Sequence, residues 1–206
     1  MKLYCLLAII LSHSRLFAQT AKDYFLPPLE KNVSVFKTRM PIGESKTQVF
    51  FKNMGDSASV TTMYYDDKGL RGGQEQVVKI DDTEISLIRG KANTSPGRVE
   101  TYVADGQILF KMPSGDGKTE WTNPGQKGAV VTTYLAEFSR VKIDGKKRKA
   151  VKISTILRRK HSGKGSVFYV DYYVAGIGRY KRTSESGHAT EILKEQKYDP
   201  NPPSVN

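Results

Sequence analysis

From Val33 onward, short runs rich in Val, Ile, Thr, Tyr and Phe alternate along the chain with clusters of Gly, Asn, Asp and Pro. Such runs, bounded by turn-forming residues, are typical of β-strands. No window has the 3.6-residue period of a long amphipathic helix, so helix should be scarce. The pattern predicts these strands: Val33–Thr38, Thr47–Lys52, Ser59–Tyr65, Glu75–Ile80, Glu84–Arg89, Arg98–Ala104, Gln107–Met112, Val130–Ile143, Lys149–Arg159, Ser166–Val174, Gly178–Arg182 and Thr190–Lys194.

Strict alternation of apolar and polar side chains is clearest in the second half of the chain. Between Lys149 and Arg159 one face is largely apolar and the other largely polar, with Ile156 the exception. This period of two indicates strands that bury one face. Ser166–Val174 alternates in the same way, with Phe168, Val170, Tyr172 and Val174 opposite Tyr169, Asp171 and Tyr173. About a dozen consecutive strands predict an all-β fold, mainly an antiparallel meander curled into a half-barrel, barrel or sandwich.

Glycine residues mark three of the expected turns. Asp105-Gly106 lies between two strand runs and predicts a tight hairpin, because both residues tolerate positive φ. Asp144-Gly145 should open a longer connection between the next pair of strands. Gly176 and Gly178 predict a bend where a strand kinks or another backbone approaches closely.

The two ends of the chain differ in their sequence pattern from residues 33–196, which we predict to form a single β-domain. Pro27 and Pro28 oppose a helix, so residues 19–32 should form an extended arm or edge segment. The proline-rich tail, residues 197–206, should be disordered.

The first 18 residues predict a signal peptide. A short basic start, Met1-Lys2, precedes the apolar run Leu3–Leu11, and Ala18 offers a small residue before Gln19. This run is too short for a bilayer span, which takes about 20 residues. We therefore expect an exported protein, periplasmic or extracellular, whose mature chain has no transmembrane span.

The amino-acid composition excludes several kinds of site for the mature protein. The chain has 206 residues and one cysteine, which the predicted cleavage would remove. Disulfides, cysteine-ligated zinc and a thiolate nucleophile are then excluded for the mature protein. The formal net charge of +12 favours polyanionic neighbours. Nucleic acid is not expected as a partner, because an exported protein rarely meets it.

No catalytic motif is convincing. His161 and His188 lack metal-ligand spacing, and no Gly-x-Ser-x-Gly elbow is present to position a nucleophile. Gly176-x-Gly178 has no third glycine and no following helix, which a dinucleotide site requires. Asp66-Asp67 and Asp81-Asp82 sit beside turns, where acidic residues are ordinary. We predict no catalytic residues, no metal and no cofactor.

Basic residues concentrate between Arg140 and Lys164. A hairpin would place Lys146, Lys147, Arg148 and Lys149 at one tip, with Arg158 and Arg159 at the far end of its second strand. These six side chains are candidates for binding lipopolysaccharide phosphates, anionic lipid or another polyanion. A solvated edge hairpin, protected from aggregation by its lysines, is the alternative.

Aromatic side chains are numerous enough to line a curved sheet around an apolar guest. The candidate ligand face comprises Trp121, Tyr134, Phe168 and Tyr172. The same rings could instead fill the sheet as its core, because small barrels are packed by side chains unless their curvature leaves room.

Four short motifs carry a family resemblance. They are Tyr24-Phe25-x-Pro27, the isolated Trp121, Val141-Lys142-Ile143-x-Gly145 leading to Ala150-Val151-Lys152-Ile153, and the run from Tyr172 to Lys181, which fits Tyr-Tyr-x-x-Gly-x-Gly-x-x-Lys. The chain resembles the secreted β-domain families of Gram-negative bacteria labelled TapB-like. The resemblance implies a curved antiparallel sheet, similar in outline to periplasmic lipoprotein carriers, and brings no catalytic residues with it.

Three functions are consistent with these features. The first is a non-enzymatic exported β-domain that binds an apolar or amphipathic ligand, or an envelope partner, in the concavity of a half-barrel, with the basic hairpin near its rim. The second is a structural or assembly protein that pairs through a sheet edge. A hydrolase with an unfamiliar site is the third.

Overall fold

A computed structural model describes residues 19–41, 43–95, 98–103, 106–124, 130–159, 165–185, 187, 189–203 and 205. The predicted signal peptide and both histidines singled out above, His161 and His188, lie outside these residues. The elements are helix α1 (Ala21–Phe25) and strands β1 (Val33–Met40), β2 (Gly43–Asn53), β3 (Ser57–Asp66), β4 (Gly69–Ile80), β5 (Glu84–Ser95), β6 (Arg98–Val103), β7 (Ile108–Lys111), β8 (Lys118–Thr122), β9 (Val130–Ile143), β10 (Lys146–Arg159), β11 (Gly165–Val174), β12 (Gly178–Ser184) and β13 (Thr190–Lys197).

The strands form a single 13-stranded antiparallel sheet, which confirms the predicted all-β fold. Its order is β6-β5-β4-β3-β2-β1-β13-β12-β11-β10-β9-β8, with β7 paired to β5. Two meanders, β1 to β6 and β8 to β13, are therefore joined where the first and last strands pair. The sheet is not closed by ladder hydrogen bonds.

Side chains connect the two ends of the sheet. The Ile108 N–H of β7 donates to Asn123 Oδ1 at 2.8 Å, and Asn123 Nδ2 donates back to the Ile108 carbonyl at 3.2 Å. Trp121 Nε1, on β8, donates to the same carbonyl at 3.3 Å. The concave face is thereby enclosed, and the largest buried cluster lies on it, including Phe36, Phe110 and Val151.

Strand β8 is missing from the sequence prediction, and the predicted hairpin at Asp105-Gly106 is wrong. Strands β6 and β7 do not pair with each other; both pair with β5, at Arg89–Ser95 and Glu84–Ser86 respectively. The edge of β5 is long enough for β6 and β7 to pair with it one after the other. Gly106 therefore lies in the break between these two strands and not in a hairpin turn. Ala104 and Asp105 lie outside the described residues.

The predicted longer connection at Asp144-Gly145 is a two-residue turn. Asp144 has φ 48° and Gly145 has φ 78°, and Ile143 pairs directly with Lys146. Two central residues with positive φ match the right-handed twist of a hairpin. Strand β10 consequently begins at Lys146, and the basic run belongs to the strand.

The N-terminal segment, expected to be extended, begins with helix α1. The Thr20 N–H donates to the Asp23 carboxylate at 2.8 Å, which stabilises the first turn. Ala21 and Tyr24 are buried in the core, and the helix ends before Pro27. The prolines stop the helix but do not prevent it, because it is complete before they begin.

The C-terminal tail, expected to be disordered, returns to the sheet. Asn32 Nδ2 donates to the Asp199 carbonyl at 2.6 Å, and the Asp199 N–H donates to Asn32 Oδ1 at 2.7 Å. Val205 is buried against Val33, Phe50 and Met63. Burial of one apolar side chain and this reciprocal pair order a segment whose composition alone favours disorder.

Candidate functional site

The concave face encloses a cavity of about 520 Å³. Its apolar walls come from strands of both meanders, so neither half of the sheet forms the cavity alone. The apolar lining includes Phe36, Val49, Phe51, Val60, Leu109, Ile153 and Leu157. This size lies within the range of roughly 300–1,000 Å³ that is usual for small-molecule sites.

Helix α1 closes one end of this cavity. The Ala21 N–H donates to the Asp82 carbonyl at 2.7 Å, between β4 and β5. The Gly176 N–H, between β11 and β12, donates to the Asp23 carbonyl at 2.8 Å. The helix is thus held by turns of both meanders and forms the closed end of the cavity.

Phe25, the last residue of α1, and Tyr173 form the floor of the cavity, with Phe110 packed against both rings. Phe25 stacks on Tyr173 with 6.2 Å between ring centroids, and Phe110 meets Tyr173 edge-on at 5.0 Å. Phe110 and Tyr173 are buried. Burial raises the pKa of the Tyr173 hydroxyl, and the nearby Asp171 carboxylate raises it further. The floor is therefore uncharged at physiological pH.

The opposite end of the cavity is its mouth. Tyr64 and Phe168 both line the cavity, yet they are 43% and 44% exposed. Tyr64 stands near the end of β3 and Phe168 near the beginning of β11, which is the same end of the antiparallel sheet. A ligand would enter here, away from α1.

Two β-bulges set which side chains face the cavity. Thr155 of β10 is opposite Tyr169 and Ile156 is opposite Val167, so Phe168 is an extra residue and lines the cavity beside Tyr169. On β12 the register passes from Arg179 to Lys181, which leaves Tyr180 as the extra residue. A bulge shifts the two-residue alternation by one position. As a result Arg179 and Arg182, three residues apart, both line the cavity.

Four charged side chains in the cavity wall, hereafter the ionic quartet, are Asp171, Arg179, Arg182 and Glu191. Arg182 binds the Asp171 carboxylate with both Nε and Nη2, at 2.8 and 2.9 Å. Arg179 Nη2 donates to Glu191 Oε2 at 2.6 Å and its Nη1 lies 4.0 Å from Asp171 Oδ1. The Asp171 side chain is only 6% exposed. The quartet is a paired network in which Asp171, Glu191 and Arg179 are buried or nearly so and Arg182 is 37% exposed.

Aromatic rings cover the faces of both guanidinium groups. Arg179 lies 4.6 Å from the Phe36 ring centroid, and Arg182 lies 5.0 Å from that of Tyr169. Burial lowers the pKa of the Arg182 guanidinium, but the Asp171 carboxylate raises it by more, so this pKa lies above its ordinary value. Both guanidinium groups lie over rings and donate N–H groups to carboxylates.

The four predicted aromatic candidates do not share one site. Tyr134 and Phe168 line the cavity. Trp121 is buried and stacks behind Tyr134 at 5.2 Å between centroids, so it supports the wall. Tyr172 pairs with Lys152 and Lys181 and is not among the described lining residues. The face predicted for β11 was wrong at Tyr172, because Asp171 and Tyr173 point inward.

The predicted basic residues lie at opposite ends of β10, and the tip of the hairpin is not near the mouth. Lys146, Lys147, Arg148 and Lys149 are exposed beside the Asp144-Gly145 turn, at the closed end. Lys149 lies over the Phe138 ring at 4.4 Å. Arg158, at the mouth end, lies 3.6 Å from Glu120, and Arg159 is exposed. Polyanion binding by these residues stays a prediction.

Within the described residues there is no cluster of three or more His, Cys, Asp or Glu side chains that could hold a metal ion. The cavity carboxylates Asp171 and Glu191 are both engaged by arginines. Helix α1 is far shorter than a bilayer crossing requires, and the rest of the described chain holds no helix suited to one.

The sequence missed the ionic quartet, the most polar part of the cavity. Asp171, Arg179 and Arg182 lie on strands that it predicted, but the Tyr180 bulge that aligns the two arginines has no local signal. The resemblance motif from Tyr172 to Lys181 spans this bulge and was the nearest indication available.

Comparison with known proteins adds little. No protein-family model matches the chain, and no curated protein matches it. A solved structure that resembles it is a Bacteroides fragilis protein described as exported and as having a YmcC-like fold. The two share 11% identity over 85% of this chain and 100% of that chain, with a TM-score of 0.43. A similarity this low supports no argument about function, so membership of the TapB-like families stays a prediction.

Proposed function

We propose that the protein is an exported, non-enzymatic β-domain that binds an amphipathic molecule in the cavity of its curved sheet. The observation that carries the proposal is a cavity of about 520 Å³ that both halves of the sheet line with apolar side chains, among which the ionic quartet and uncharged polar side chains such as Thr62, Gln74 and Gln76 are interspersed. Export rests on the signal-like residues 1–18.

The distribution of polar groups supports an amphipathic ligand. Near the floor the walls are aromatic and aliphatic, as at Phe25, Phe51 and Ile108. Toward the mouth Tyr64, Tyr169, Arg182 and Glu191 supply hydroxyl, guanidinium and carboxylate groups, while Arg179, opposite Tyr173 in register, reaches Glu191 from the floor. An apolar tail would pack against the deeper walls while a polar head lies among these groups.

Packing energetics favour a guest over an empty space. Protein interiors leave few voids larger than a water molecule, and apolar surface gains about 25 cal/mol for every Å² removed from water. Phe36, Val49 and Val60 are buried in the core cluster and also border the cavity. An apolar guest would extend the contacts that these side chains already make.

The test is native mass spectrometry of the chain purified from the periplasm of an expression host, before and after organic extraction. We expect a lipid-sized adduct that extraction removes. Thr155→Trp, which places a large ring in the cavity, should abolish the adduct. Arg159→Trp adds the same ring at an exposed position of the same strand and should leave it. A bare polypeptide mass before extraction would contradict ligand binding.

Sheet-edge pairing is a second candidate function, and one feature favours it. Strand β6 ends the sheet and, among the described strands, pairs only with β5. Val103 on this edge strand is 84% exposed. An added strand from an envelope protein would cover it. In the same native spectrum this function would give a protein complex in place of a small adduct.

A further inference from the structure

The charges of the cavity define the kind of head group it accepts, provided that the proposed ligand binding holds. The quartet contains two guanidinium and two carboxylate groups, so its formal charge is zero. The other polar side chains that line the cavity, such as Gln74, Gln76 and Tyr64, are uncharged at physiological pH. The chain as a whole carries +12, but this excess lies outside the cavity.

Three guanidinium nitrogens of the quartet donate to its carboxylates. Arg182 uses Nε and Nη2 on Asp171, and Arg179 uses Nη2 on Glu191. An aromatic ring over each guanidinium group blocks the approach of an anion from that side of its plane. An anionic head would have to replace one of the carboxylates or add a third negative charge beside them.

The burial of the quartet makes an added charge costly. The side chains of Asp171, Glu191 and Arg179 are 6%, 11% and 19% exposed and that of Arg182 is 37% exposed, so water screens an incoming charge poorly beside the two carboxylates. A charge without a partner in such surroundings is strongly disfavoured. A cationic head meets the same difficulty from the two arginines.

Uncharged hydrogen-bonding groups avoid this cost. Hydroxyl and amide groups can accept from the remaining guanidinium N–H groups and donate to the carboxylates without changing the charge of the site. The side chains of Gln74, Gln76 and Tyr64 offer further donors and acceptors. We propose that the cavity selects amphiphiles with a neutral, hydroxyl- or amide-bearing head group over those with a charged one.

The experiment compares two probes with the same acyl chain. The delipidated protein is loaded with the neutral fluorophore N-phenyl-1-naphthylamine, which is then displaced by 1-oleoylglycerol or by oleate below their aggregation concentrations. At about pH 8 oleate is ionised, because an ordinary carboxyl pKa is near 4. We expect the glyceride to displace the fluorophore at about tenfold lower concentration than oleate, as an unpaired buried charge predicts.

Glu191→Gln tests the cause of this preference. The variant removes one negative charge and releases Arg179, so the preference for the glyceride should shrink about tenfold or reverse. Glu195→Gln is the matched control, since Glu195 is an exposed carboxylate on the same strand. It should keep the wild-type preference.

The outcomes separate the two proposals. If both probes bind, and oleate binds as tightly as the glyceride or more tightly, head-group selection is overturned and the proposed function is left intact. Failure of the fluorophore and both probes to bind would overturn the proposed function, and this inference with it. The wild-type comparison decides even if Glu191→Gln does not fold.

Discussion

At the scale of single residues, Gly178 shows why the β11–β12 turn needs glycine. It has φ 84°, and a Cβ built there would lie 3.2 Å from the Phe25 carbonyl oxygen. Gly176 in the same turn has φ 71°, with nothing within 4 Å of such a Cβ. Both residues need positive φ, but only Gly178 also makes room for the backbone after helix α1.

This difference predicts unequal effects of alanine. Gly176→Ala should cost about 1 kcal/mol of unfolding free energy, the usual penalty for a side chain at positive φ. Gly178→Ala should cost about 1–2 kcal/mol more, because α1 must also shift. Urea unfolding of both variants measures the difference. Equal losses would contradict the close contact with Phe25.

Both features predicted for Gly176 and Gly178 from the sequence are present. The glycine spacing indicated a bend or a close approach of another backbone, and Gly178 provides both. The approaching segment could not be identified, because Phe25 is distant along the chain and had been predicted to be extended.

At the scale of elements, the β9–β10 hairpin separates the basic residues from the mouth of the cavity. Its exposed tip points to the closed end, where α1 lies, while Arg158 and Arg159 stand at the mouth end. For an extended strand these ends are roughly 40 Å apart. One compact polyanion cannot bridge both groups, so the tip must act by itself.

We therefore expect Lys146, Lys147, Arg148 and Lys149 to dominate retention on heparin. Replacing all four with Ser should lower the salt concentration at which the protein elutes, because the removed charges are exposed and clustered. Salt-gradient chromatography on immobilised heparin measures the change.

The control removes the same charge from scattered exposed positions: Lys52, Lys68, Lys91 and Lys197, each replaced by Ser. If the variant with four scattered Lys→Ser replacements elutes at as low a salt concentration as the variant of the hairpin tip, net charge alone explains retention. The tip would then be the solvated edge hairpin of the alternative interpretation.

At the scale of the whole molecule, Tyr24 and Tyr173 are buried in the core and Tyr134, partly buried, packs against it. Burial raises the pKa of Tyr24 and Tyr173, with further increases from Asp23 and Asp171 respectively, and burial also raises the pKa of Tyr134. The folded state therefore keeps protons that the unfolded chain releases near pH 10. Stability is complete below that pH and is lost as the pH rises toward the folded pKa values.

Thermal unfolding should reveal this loss. Between about pH 9 and about pH 11 the melting temperature should fall steeply, and tyrosinate absorbance should rise together with unfolding. Tyr173→Phe should flatten the fall, whereas Tyr198→Phe should not, because Tyr198 is 64% exposed. Full tyrosine ionisation in a protein that stays folded would contradict the burial of these rings.

The boundaries of most strands were predictable because alternation and turn residues act locally. Strand β8 was missed because its five residues, Lys118–Thr122, carry only one buried side chain, Trp121. The face of β11 was misassigned for a related reason. The sequence shows which side chains alternate, but which set faces the cavity depends on the partner strands and on the bulge at Phe168.

The sequence by itself determined the all-β class, the antiparallel order within each half and the need for glycine at 176 and 178, because periodicity and positive φ are properties of neighbouring residues. Tertiary structure alone decided the pairing of β1 with β13, the closing of the sheet ends through Asn123 and the assembly of the ionic quartet. These depend on contacts between distant segments, whose loop-closure entropy and packing no local pattern records.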